Sequence, residues 1–132
     1  MANEATLEIE TSLPVQFTVA DATGIEKGTV CKMTDSMTAI ASSGTGDVFA
    51  GITSQEKIAN NGQTKLALYR RGVFLMTAVT GATITTGEWV TTSGANLIRT
   101  ATEAEVVTGK GIGIALEDIA SATTGFVCVG GY

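Results

Sequence analysis

Gly81-Ala82-Thr83-Ile84-Thr85-Thr86-Gly87-Glu88-Trp89-Val90 decides how this chain is read, because an earlier stretch repeats its spacing. That stretch is Asp21-Ala22-Thr23-Gly24-Ile25-Glu26-Lys27-Gly28-Thr29-Val30-Cys31. With Ile25 laid on Ile84, Gly28 falls on Gly87 and Cys31 on Val90. The echo continues in Gly51-Ile52-Thr53-Ser54-Gln55-Glu56 against Gly113-Ile114-Ala115-Leu116-Glu117-Asp118. It closes with Gly62-Gln63-Thr64-Lys65-Leu66 against Gly125-Phe126-Val127-Cys128-Val129, so the offset drifts only from 59 to 63 residues. Residues of about 24–69 and 81–131 therefore read as two versions of one β unit.

Composition agrees with strands. Sixteen Gly against one Pro, with 16% charged residues, favour strands joined by tight turns. A chain of 132 residues forms one core that buries about two-thirds of its unfolded surface. The expected fold is all-β: a small closed barrel or a sandwich of two pseudo-repeated units with pseudo-twofold symmetry. An extended arm (1–20) precedes that domain (21–132). One short helical turn is expected, around Ser54–Asn60.

Charge is placed unevenly. Residues 1–26 hold Glu4, Glu8, Glu10, Asp21 and Glu26 and no base, while the rest holds eight acids and eight bases. The net charge of −5 thus belongs to the N-terminal segment. Nucleic-acid binding needs a basic surface, and anionic lipid attracts one, so neither partner is expected. No apolar run approaches the length of a membrane span, and the start lacks a signal-peptide pattern. These features predict a soluble chain made in the cytoplasm. Cys31 and Cys128 lie in strand-like runs and are expected as small buried thiols.

In the arm, Thr6-Leu7-Glu8-Ile9-Glu10 alternates, which sends Glu8 and Glu10 one way and Leu7 and Ile9 the other. Pro14 interrupts, and Val15–Val19 resumes the alternation. Strands are expected at Thr29–Met33, Met37–Ala41, Val48–Ile52 and Lys65–Tyr69, with a tight turn at Asn61-Gly62. Gly51 marks a place where another backbone comes close. Val73–Met76 is the central core strand. The second unit gives Glu88–Thr92, Asn96–Ala101, a loop through Glu103–Glu105, Gly111–Ala115 and Thr124–Val129. Arg70 and Arg71 read either as a solvated turn or as an anchor for a partner's carboxylates. Trp89 reads as a core or inter-subunit anchor.

Catalytic and metal chemistry find little here. The chain has no His, which excludes His-based general base catalysis, Ser-His-Asp triads and His-ligated metals. Gly109-Lys110-Gly111-Ile112-Gly113 lacks the GxxxxGK[ST] spacing of a phosphate loop and reads as a turn into a strand. Glu56 and Glu117 occupy related places, but paired-carboxylate hydrolysis also needs a sugar cleft, usually lined with aromatics. No catalytic, cofactor or metal residue is expected.

These residues carry a likeness. Gly81/Ile84/Gly87/Val90, then Gly113-Ile114-Ala115 and Gly125/Val127/Val129, with Gly72–Met76 between the units, resemble the capsid cement (head decoration) proteins of tailed bacteriophages. The first copy contributes Gly24, Ile25, Gly28, Cys31 and Gly51-Ile52. The likeness covers nearly the whole chain after residue 20. It implies a non-enzymatic virion protein on the outside of an expanded icosahedral capsid, made in the host cytoplasm. Such a protein clamps neighbouring major capsid subunits against internal DNA pressure, often as a homotrimer. The arm then contacts the shell through Leu7, Glu8, Ile9, Glu10 and Phe17, joined by Arg70 and Arg71, and Trp89 sits at the oligomer interface. The alternative is another virion surface module, from a head fibre or tail, or a glycan-binding domain.

Overall fold

Alternating apolar residues can be covered by closing a sheet on itself, and this chain does so twice. The computed structural model describes residues 3–131. Its strands are β1 (Thr6–Ile9), β2 (Val15–Thr18), β3 (Val30–Asp35), β4 (Thr38–Ala41), β5 (Phe49–Thr53) and β6 (Lys65–Tyr69). There follow β7 (Gly72–Ala78), β8 (Trp89–Thr92), β9 (Leu97–Thr100), a short helix α1 (Glu103–Val107), β10 (Gly113–Ala115) and β11 (Thr124–Val129). The first barrel closes in the order β2-β4-β3-β5-β6. The second sheet runs β1-β7-β11-β10-β8-β9, and β9 returns to pair with β7, so β7 to β11 close in the same order of connections.

The repeat is legible residue by residue. Phe17 pairs with Leu66 and, 59 residues later, Met76 pairs with Gly125. Ile52 pairs with Tyr69 as Ile114 pairs with Cys128. The bridge Ile25–Lys57 is matched by Ile84–Ile119. The closing contact is parallel in both barrels, at Thr18–Thr38 and at Thr77–Leu97. Gly51 and Gly113 are equivalent, and both are needed for close approach. A Cβ on Gly51 would lie 2.7 Å from the Leu68 Cβ, and one on Gly113 would strike the Cys128 carbonyl.

Four expectations change. Each unit takes in the strand before its first turn, β2 or β7, so Val15–Thr18 is barrel wall rather than arm, and Phe17 is 1% exposed. The last strands align as Lys65 on Thr124, four residues away from the register implied by matching Gly62 with Gly125. The helical turn lies at Glu103–Val107, not at Ser54–Asn60, and it is held by a capping box between Thr102 and Glu105. Finally, the barrels are not related by a twofold axis, because they meet through different faces.

At that seam, barrel one offers Val30, Phe49 and Ile52, which join the large core cluster around Phe74, Met76 and Val127. The inside of barrel one is a separate cluster containing Phe17, Ile25, Cys31, Leu66 and Leu68. β5 is buried along its whole length because Ala50 lines its own barrel while Phe49 and Ile52 face the seam. Barrel two offers its β8–β9 turn. The Val30 N–H donates to Asn96 Oδ1 at 2.9 Å, Gly46 N–H to the Thr92 carbonyl at 3.0 Å, and Gly94 N–H to the Gly44 carbonyl at 3.1 Å. β1 staples the joint, pairing with β7 while the Ala5 N–H donates to the Gly28 carbonyl at 2.8 Å.

Candidate functional site

The acidic strand β1 lies against its own body. Thr6 pairs with Leu75, Leu7 with Phe74 and Ile9 with Val73, and a bulge falls between Leu7 and Ile9. That bulge breaks the expected alternation. Leu7 turns onto the core cluster, whereas Ile9 is left 59% exposed beside exposed Glu8 and Glu10. β1 ends the sheet order, so its far edge carries no strand. Glu10 is fixed by the Tyr69 hydroxyl, which donates to Oε2 at 2.6 Å, and this bond pushes the Tyr69 phenol above its ordinary range.

Arg70 and Arg71 are exposed at the β6–β7 junction. With Leu13, Val15 and Gly130 they border a cleft of about 510 Å³, directly after the end of β1. The fold thus brings together the exposed end of the acidic segment and the two arginines. It does not bring Phe17 there, because that ring fills barrel one.

Trp89 lies half-buried on the outer face of barrel two, where it borders a cleft of about 360 Å³ with Thr100, Val106 and Val107. Its ring packs where side chains on Gly111 and Gly131 would otherwise stand. Direct pairing places it in a row: Trp89 opposite Ile114, Ile114 opposite Cys128, Cys128 opposite Val73, and Val73 opposite Ile9. Directly opposed residues share a face of a sheet. This apolar row was not singled out in the sequence, since strand alternation gives faces but not which face stays uncovered.

Of the carboxylates considered for hydrolysis, Glu117 is engaged by the backbone of β11, and its neighbour Asp118 holds a turn. Asp118 Oδ1 accepts from the Thr86 N–H at 2.8 Å and its hydroxyl at 2.9 Å, which lowers the Asp118 carboxyl, and Glu117 Oε2 accepts the Phe126 N–H at 3.0 Å. The equivalent of Glu56 is Asp118 rather than Glu117, since Ile52 and Ile114 share a place. Among the described residues no cluster of His, Cys, Asp or Glu is arranged to hold a metal ion, and no helix is long and apolar enough to cross a membrane.

The strongest cation site is structural and was not foreseen. Lys57, with its side chain fully buried, donates to the Asp21 carbonyl at 2.9 Å, the Ile58 carbonyl at 2.9 Å and Asn61 Oδ1 at 3.3 Å. On the opposite barrel, Arg99 grips Glu105 through two bonds of 3.0 and 2.7 Å, holding that carboxyl down to about 2.

No curated protein matches the chain. A family model does: the one described as phage cement protein matches residues 9–131, which span both barrels and the end of β1. That family is one of structural virion proteins associated with the phage capsid. With nearly its whole length matched and the doubled barrel in place, the chain belongs to the phage cement protein family.

Proposed function

We propose that this protein binds the outside of an expanded capsid as a homotrimer and clamps neighbouring major capsid subunits against internal DNA pressure. The observation that carries the reading is the open far edge of β1, with Ile9, Glu8 and Glu10 exposed along it and Arg70 and Arg71 beside its end. An extended capsid segment adds to that edge through backbone hydrogen bonds, and the adjoining charges choose its side chains. Three such edges in one trimer bind far more tightly than one, because each bound edge raises the effective concentration of the next.

Co-sedimentation with expanded capsids tests this. Deleting residues 1–13 removes the edge and should abolish binding. The deletion also removes Ala5 and Leu7 from the core, so a melting curve must accompany it. Arg70→Glu alters a single exposed position and should weaken binding about tenfold with the melt unchanged. Full binding by both variants sinks the proposal.

A further inference from the structure

Within the chain, the first barrel presents the row Tyr69–Ile52–Val30 to the second. Two of its three members are covered: Ile52 is 0% and Val30 1% exposed, the partly exposed Tyr69 ring stands 5.9 Å from the Phe74 ring, and Val30 bonds Asn96. The same row on the second barrel is Cys128–Ile114–Trp89, and all three residues remain half-exposed. The receiving side is also duplicated. Val15 stands where Phe74 does, each opposite the equivalent residue of the last strand of its barrel. Met37 stands where Asn96 does, and both adopt positive φ, 48° and 59°. Val15 is 39% and Met37 50% exposed. Each chain therefore carries one used pair of complementary faces and one unused pair.

We propose that the Cys128–Ile114–Trp89 row docks on the Val15/Met37 side of a second copy. The contact that joins two barrels within one chain is thereby repeated between chains. Such a contact is head-to-tail, and repeated around an axis it closes a ring. The inference rests on the homotrimer reading above and supplies its faces: three chains place six barrels around one ring. The inter-chain joint is more apolar than the internal one, because Met37 offers no side-chain acceptor equivalent to Asn96 Oδ1. The α1 segment adds a second difference. In barrel one, Gly44 and Gly46 reach across the seam, and the corresponding segment of barrel two carries α1, with Val107 76% exposed beside Trp89.

The internal Tyr69–Phe74 contact predicts that Cys128 of one copy faces Val15 of the next. A Val15→Cys protein, assembled in solution or on expanded capsids and treated with a bis-maleimide that spans the space the two rings fill internally, should give covalently linked species at multiples of 13.5 kDa, ending at three. Val15→Cys/Cys128→Ser should give none. Multimers by light scattering without the cross-link would overturn these faces and leave the trimer standing. A monomer both free and on capsids would overturn both. Should Val15→Cys fail to fold by circular dichroism, Ile114→Asp decides: assembly is expected to be lost, and unchanged assembly refutes the docking.

Discussion

The two barrels solve one position in opposite ways. Lys57 and Ile119 each bridge the turn residue of their own barrel, Ile25 or Ile84, and each is 1% exposed. In barrel one the seven residues Ile58–Thr64 supply the Ile58 carbonyl and Asn61 Oδ1, which converge with the Asp21 carbonyl on the Lys57 ammonium. In barrel two the four residues Ala120–Thr123 turn more tightly, with Thr123 bonding back to the Ala120 carbonyl, and an isoleucine suffices. The framework thus accepts a salt-like knot or a hydrocarbon at the same site, provided the loop matches. Loop length, not barrel design, sets the residue.

Swapping the two residues is the hardest blow to that comparison. Ile119→Lys buries an ammonium where the described contacts are apolar and should cost about 3–5 kcal/mol, read as lost stability in urea unfolding. Lys57→Ile keeps the bulk but leaves the Ile58 carbonyl without its donor, while the Asp21 carbonyl keeps the Asn60 N–H and Asn61 Oδ1 the Gln63 N–H, and should cost about 1–3 kcal/mol. Equal and small losses from both would show that the loops do not discriminate. Next comes the seam. Asn96→Ala leaves the buried Val30 N–H unpaired and should cost about 1–3 kcal/mol, whereas Met37→Ala, at the equivalent exposed site, should stay within about 0.5 kcal/mol.

A gentler probe is acid. Glu105, held at about 2 against an ordinary 4.5, stabilises the fold when ionised. That contribution is complete above pH 4.5 and drains away as pH falls toward 2. Glu105→Gln should therefore flatten the decline of melting temperature across that window, and high salt should reduce the difference because the pair is partly exposed. The smallest effect belongs to Thr29, whose buried Oγ1 has no hydrogen-bond partner among the described residues. Thr29→Val removes that orphan at equal volume and should be neutral or stabilise by up to about 1 kcal/mol in thermal melts.

Much of the fold was legible because its glycines obey the repeat. Ile25 and Cys31 match Ile84 and Val90 in their pairings, Gly28 and Gly87 donate to the equivalent carbonyls of Thr53 and Ala115, and Gly51 with Gly113 marks true close contacts. The last strand misled because Gly62 and Gly125 do different jobs. Gly62 sits in a loop at φ 85°, with its N–H bonded to Asp21 Oδ1, while Gly125 is inside β11, where a Cβ would press on Ile119. The helix was missed although Thr102-Glu103-Ala104-Glu105 carries the Thr-x-x-Glu signature of a capping box, because no apolar run follows it. At the candidate surface the sequence pointed to Leu7, Glu8, Ile9, Glu10 and Phe17, of which Glu8, Ile9 and Glu10 are exposed while Leu7 packs on the core and Phe17 is buried. Neither the bulge that turns Leu7 inward nor the uncovered row ending at Trp89 has a local sequence mark, since both depend on how one barrel meets the other.

Cys31 points toward the inside of barrel one, where burial pushes its thiol up to about 12, while Cys128 remains partly open. A maleimide dye applied near neutral pH will therefore mark each polypeptide a single time. In the docking proposed above the next copy covers that same thiol, so a fall in dye uptake on assembly reports the contact with no engineered tag on the protein.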